Sequence, residues 1–318
     1  MKKFSLVMIA VLMLVLITSC SWNNPSTTFN PPALSPTPTT NTTDVPTSDV
    51  PTETPTETPT PTPVPTPHVM VNTAGLTITT RFNTPEGYAR IGQEDGSYGA
   101  YLQNLPLRVS AVKAYSYDGN AKENDDYAAV VDMLISSKDQ CGSDTVTRLR
   151  AEYFYATGNT DAMNFKFVSG FVFEYNRWIN GDRISVDGSN VVWKEGIGDV
   201  GNTDKIFTRY LQNLYAYSNV TSLKSMLKGV SNAQQIKVGD VLVSAKNALC
   251  VVDVAFNAST GDTVIMLAGT SGTQSEDIQI LKNMKNEDQN PWYSINDGKI
   301  LNTPLGDFSL NDLMRWSE

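Results

Sequence analysis

Three cysteines and a single histidine are the most reactive side chains in this 318-residue chain. Cys141 opens the run CGSDTVTRLRAEYFYATG, in which Val146, Leu149, Tyr153 and Phe154 share one helical face and Gly158 supplies a stop. A thiol at the head of a helix meets unsatisfied backbone N–H groups and the positive end of the dipole, and both favour the thiolate. Asp139 is placed to cap this helix, which would set Cys141 in its first turn. The plainer alternative is a buried structural cysteine. The one imidazole, His68, stands where the composition of the chain changes and reads as incidental. There is no His or Cys pair at ligand spacing, and Glu123-Asn124-Asp125-Asp126 lacks the spacing of a calcium loop, so the sequence calls for no metal and no cofactor. Trp178, Trp193, Trp292 and Trp316, with Tyr175, Tyr215 and Tyr293, read mostly as core. Asn290-Pro291-Trp292-Tyr293 lies in a polar stretch, so Trp292 and Tyr293 are expected as an exposed binding pair.

The elements that must hold these residues follow from period and punctuation. Leu76–Phe82 and Val109–Tyr117 read as strands and Tyr127–Ile135 as a short helix. KIFTRYLQNLYAYS puts Ile206, Tyr210, Leu214 and Tyr217 on one stripe, and SLKSMLKG reads as a second helix after it. From Val238 the pattern changes to strands, VGDVLVS, ALCVVDVAF, TVIMLAG and DIQILKN, two of them separated by the turn residues Ser259-Thr260-Gly261-Asp262. A last helix is expected over SLNDLMRW. Helices followed by an antiparallel meander predict an α+β domain.

The chain's ends set its context. Two lysines, an apolar run and a small-residue exit form a secretory signal over residues 1–19, and Ile17-Thr18-Ser19-Cys20 resembles the bacterial lipobox, which makes Cys20 the lipidated anchor. Residues 20–68 are rich in Pro, Thr and acids. They predict an unfolded, stiff stalk which, at about 3.1 Å per residue, reaches up to ~150 Å from the membrane. Residues 69–318 have the composition of one globular domain. A net charge of −9 argues against nucleic acid as a partner. The expected partners are the membrane, through the lipid, and an envelope glycan, peptide or peptidoglycan.

The runs RFNTPEGYAR, YGAYLQNLPL, AYSYDGNAK, QCGSDTVTRLRAEYFY, GDVLV, NALCVVDVA, MLAGTSGTQSEDIQILKN, NPWY and NTPLGDF follow one another in an order that resembles a family of bacterial lipoproteins, a domain of unknown function of about three hundred residues. The likeness covers residues 79 to 316. The layout is also similar to that of papain-like cell-wall endopeptidases and amidases, in which a cysteine heads a helix and a histidine begins a strand after a Gly-Asp strand. That resemblance implies Cys141 as nucleophile, Asn247 in the place of the histidine, and the orienting residue near Gly269. An asparagine amide is no general base near neutral pH.

Two functions follow: a catalytically dead, papain-like module that binds envelope polymer or peptide, or a cysteine hydrolase using Cys141 with a different base, Asp253 or Asp240. Strand alternation gives Asp253 the parity of Asn247. The same alternation turns Cys250 away from Cys141 if Asn247 faces it. The competing expectation is a Cys141–Cys250 disulfide, because two cysteines remain once Cys20 is lipidated.

Overall fold

Thr77 begins a helix where alternation predicts a strand. In the computed structural model, which describes residues 68–317, its hydroxyl accepts the Thr80 N–H and Thr80 answers at the Thr77 N–H, a capping box that closes α1 (Ile78–Arg81). The local cap outweighs the β-branched pattern. The expectations for residues 1–67, including the signal, the anchor at Cys20 and most of the stalk, lie outside the described residues. Next come β1 (Ala89–Arg90) and α2 (Tyr98–Gln103), the latter capped by Ser97. Val109–Tyr117 is a turn-rich loop, not the expected strand; it carries only isolated bridges, Tyr115 to Ala121 and Ser116 to Glu276. The expected helix over Tyr127–Ile135 is instead β2 (Tyr127–Val130), a sheet-edge strand. A short apolar run has no period that separates the two forms, and the free sheet edge decides.

The cysteine helix forms as predicted, α3 (Asp144–Thr157), and Gly158 ends it in the left-handed conformation at φ 69°. After it comes an aromatic lobe: the hairpin β3 (Asn164–Lys166) and β4 (Val172–Glu174), helix α4 (Tyr175–Ile179), and the hairpin β5 (Arg183–Asp187) and β6 (Asn190–Lys194). Helix α5 (Asp204–Tyr217) closes the lobe, burying Ile206, Tyr210 and Leu214 as its stripe predicts, while Tyr217 stays partly exposed. Phe173 stacks on Tyr210 within this core, with ring centroids 4.4 Å apart. SLKSMLKG divides into α6 (Val220–Lys224) and β7 (Leu227–Gly229).

The predicted meander follows as β8 (Val241–Val243), β9 (Ala248–Asn257), β10 (Asp262–Gly269) and β11 (Gln279–Leu281), each antiparallel to the next. Beyond it lie β12 (Tyr293–Ser294), the hairpin β13 (Ile300–Thr303) and β14 (Gly306–Ser309), and β15 (Leu313–Trp316). The last of these replaces the helix expected over SLNDLMRW, because it fills the slot between β8 and β7. The sheet order is β2-β11-β10-β9-β8-β15-β7, with β1 on β9 and β12 on β10.

Alternation along β9 and β10 makes two cores. Ala248, Cys250, Val264 and Met266 pack under α2 and α3, whereas Leu249, Val251, Ile265 and Leu267 face Leu301 and Phe308 of the β13–β14 hairpin. The fold is α+β, helices against a large antiparallel sheet.

Candidate functional site

Cys141 sits three residues before α3, in a turn that leads into it. Its carbonyl accepts the Asp144 N–H at 3.1 Å and that of Gly142 accepts Thr145 at 3.2 Å. Asp139 does not cap the helix; Ser143 occupies the cap position, and the Asp144 carboxylate folds back to accept the Cys141 N–H at 3.3 Å. Gly142 has φ 54° and donates to the Ser271 carbonyl at 2.8 Å. A Cβ there would stand 3.1 Å from Asn247 Oδ1 and 3.2 Å from Gly272 Cα, so the chain passes this point only as glycine. The residue beside Cys141 therefore rests on Asn247, the residue just before β9.

Asn247 is committed to its own surroundings. Nδ2 donates to the Thr270 carbonyl at 3.1 Å, Oδ1 accepts the Ala248 N–H at 2.8 Å, and its backbone closes a turn with Ser244. Gly269 is not the third corner. A Cβ at 269 would strike Leu249 Cδ2 at 2.4 Å, on the sheet face opposite α3. One residue further on, Thr270 turns its hydroxyl to Thr145 at 2.8 Å and its carbonyl to Asn247. A single step along a strand reverses the face, so Gly269 and Thr270 look to opposite sides of the sheet.

Asp144 is the residue that reasoning from the sequence missed. It is 6 % exposed, accepts from the Cys141 N–H and the Ser218 hydroxyl, and has no cation within ion-pair distance among the described residues. Burial raises its carboxyl from 3.8 to about 7, opposed by those two hydrogen bonds and aided by the charge of Asp139. The C-G-S-D spacing carried the signal, but an acid in the first turn of a helix also reads as ordinary dipole complementarity. The Cys141 thiol is pushed up in turn, by burial first and then by Asp144 and Asp139. The thiolate expected from the helix end is not favoured, because burial, aided by two carboxyls, outweighs the dipole. Beside Cys141, Gln140 is fully buried; its Oε1 accepts from Arg148 and Ser136, and its Nε2 has no partner.

The two alternative bases are held by arginines. Asp253 accepts from Arg90 Nε at 2.7 Å and Gln103 Nε2 at 2.8 Å, and Asp240 from Arg315 Nε at 2.6 Å. The parity argument for Asp253 fails because of a bulge: Met266 pairs with Asp253 and Leu267 with Val251, leaving Val252 as an extra residue. Asp253 is thereby turned toward α2. Cys250 lies fully buried against Tyr98, its thiol pushed up to about 12 by burial, and both Cys141 and Cys250 are free, so the disulfide is absent.

Trp292 and Tyr293 are not an exposed pair. Trp292 is fully buried and donates to the Asn83 carbonyl, while the Tyr293 hydroxyl donates to Lys282 in the core beside β10. His68 contacts the Thr84 carbonyl at 2.7 Å. A groove of about 500 Å3, lined by Val168, Ser169, Val191, Tyr217, Ser218 and Asn219 among others, runs along the aromatic lobe. Ser218, one of its lining residues, donates its hydroxyl to Asp144.

A family profile described as "Domain of unknown function (4846)" matches residues 78–315. No curated protein and no solved structure matches the chain.

Proposed function

Since the chain belongs to that family of domains of unknown function, we propose that it is a lipid-anchored envelope protein whose domain is a papain-like hydrolase turned binding module, holding a polymer or peptide of the cell envelope without cleaving it. The observation that carries this reading is the pairing at the head of α3. Where the papain-like layout needs a proton acceptor, the Asn247 amide is spent on Thr270 and Ala248, and the thiol of Cys141, whose neighbour Gly142 rests on Asn247, is kept protonated by burial and by Asp144. The groove lined by Ser218, whose hydroxyl bonds to Asp144, supplies the surface for the polymer or peptide. Export and anchoring rest on the signal, the lipobox-like Ile17–Cys20 and the Pro/Thr stalk.

One observation favours the second reading, a cysteine hydrolase acting on cell-wall peptides. The Asp144 carboxyl, with its pKa raised to about 7, is the acceptor nearest the Cys141 backbone. A co-sedimentation experiment separates the two. Full-length chain, Cys141→Ala and Val168→Asp are each incubated with isolated envelope polymer, and both pellet and soluble fragments are assayed. The binding module predicts equal sedimentation of wild type and Cys141→Ala, about tenfold weaker sedimentation of Val168→Asp from the buried charge-to-apolar mismatch, and no fragments. Fragments released by the wild type and not by Cys141→Ala would overturn it in favour of the hydrolase.

A further inference from the structure

Arg81 presents a charge that the fold does not balance. The residue is 1 % exposed, its Nε donates to the Gly75 carbonyl at 2.6 Å and its Nη2 to the Arg108 carbonyl at 2.9 Å, and no carboxylate lies within ion-pair distance of it among the described residues. Among the described residues its hydrogen bonds run from Nε and Nη2, and none from Nη1. A buried guanidinium without a counter-charge is costly, and proteins place one where a partner arrives from outside. Arg81 lines a cavity of about 380 Å3 between the 108–113 loop and the edge strand β2.

The other cations of that cavity show the contrast. Arg108 is paired with Asp277 at 2.7 Å, Lys122 with Glu276 at 3.1 Å and Lys282 with Asp125 at 2.7 Å. Lys113 is only loosely engaged, 3.8 Å from Glu123, with both side chains more than half exposed. At the lip, the backbone N–H groups of Ser110 and Ala111 donate to no group among the described residues. Among the described residues Ala111 is the one non-glycine held at positive φ, 69°.

We propose that this cavity binds a phosphate group, held by Arg81 Nη1 on its floor and by Lys113 and the Ser110 and Ala111 N–H groups at its lip. The choice of phosphate over carboxylate follows from the donors. With Nε and Nη2 spent on carbonyls, Arg81 cannot offer the two-point fork that a planar carboxylate takes, whereas a tetrahedral group accepts donors from several directions. Against a net charge of −9, five cations line the cavity beside two acids, Glu123 and Asp125, and Arg81 is the cation that meets no acid among the described residues. The group is either free phosphate or a phosphate ester of an envelope polymer. The site shares none of the residues argued for the Cys141 groove, so it stands whichever way that reading is decided.

The test is 31P NMR titration of the full-length chain with inorganic phosphate and, separately, with a glycerol phosphodiester. Saturable binding is expected, weakened by about tenfold or more in Arg81→Met and in Ser110→Glu. Ser110→Glu changes an exposed lip residue and so keeps the fold even where Arg81→Met does not; circular dichroism checks both. Tighter binding of inorganic phosphate assigns the free anion, and tighter binding of the diester assigns the polymer. The proposal is overturned by absence of saturable binding to both probes, by unchanged binding in folded Ser110→Glu, or by acetate competing as well as phosphate.

Discussion

Asp253 and Asp144 are both buried carboxyls, one at the middle of the sheet and one at the head of α3, and their surroundings are opposite. Asp253 is inaccessible and is met by an arginine, a glutamine amide and the Val254 N–H, so its charge is answered on every side. Asp144 is answered by one hydroxyl and one peptide N–H, both at 3.3 Å, with no cation. Burial raises both pKa values, but Arg90 is the main force holding Asp253 down, and Asp144 has no such partner. A compensated buried charge is a structural element; an uncompensated one is a titratable group held in the interior.

The largest effect should come from breaking the compensated side. Arg90→Ala leaves Asp253 buried and unpaired, and unfolding in urea should show a loss of about 3–5 kcal/mol. A loss below about 1 kcal/mol would mean that the two carboxyls are alike after all.

The uncompensated side should respond with the opposite sign. Asp144 is raised from 3.8 to about 7 in the folded state, so between those values the folded protein keeps a proton that the unfolded chain has lost. Stability therefore falls as pH rises from about 4 to about 7 and levels off above, with a ceiling of about 4 kcal/mol for the whole window. Asp144→Asn removes that dependence while keeping an acceptor for the Cys141 N–H. At pH 8 the variant should be more stable than wild type by about 1–3 kcal/mol, the difference closing near pH 4. A variant less stable at both pH values would contradict the assignment.

The smallest effect is on reactivity. With burial and two acids pushing the Cys141 thiol up, iodoacetamide should label it at pH 8 more slowly than a free cysteine, and Asp144→Asn should speed labelling by about two- to fivefold. A labelling rate that reaches its plateau below pH 7 would reveal a thiolate and revive the nucleophile.

Much of the frame was legible before the structure. The meander β8–β11 could be read because each run is bounded by turn residues, and α3 and α5 because fourteen-residue helices repeat their apolar face several times. Short segments were not: ITTR, YAAV and LMRW each carry too few residues for a period, and a threonine cap, a free sheet edge and an open slot beside β8 settled them. Of the site, the contact between the Cys141 turn and Asn247 was implied by the papain-like resemblance, and the structure places Gly142 against Asn247. Gly269 faces Leu249 on the other side of the sheet, and Trp292 and Tyr293 were read as exposed from polar neighbours that in fact flank a buried strand.

The sequence by itself determined which reagents exist: one histidine, placed before the domain, an asparagine at residue 247, a cysteine before a helix, and an arginine at 81 among short-range neighbours of no opposite charge. Only the tertiary structure decided what those reagents can do. Protonation and access depend on desolvation and on partners brought from far along the chain, such as Ser218 to Asp144, Arg90 to Asp253 and the Arg108 carbonyl to Arg81. A bulge at Val252 or one step from Gly269 to Thr270 reverses the face a side chain presents, and neither is encoded in residue type alone.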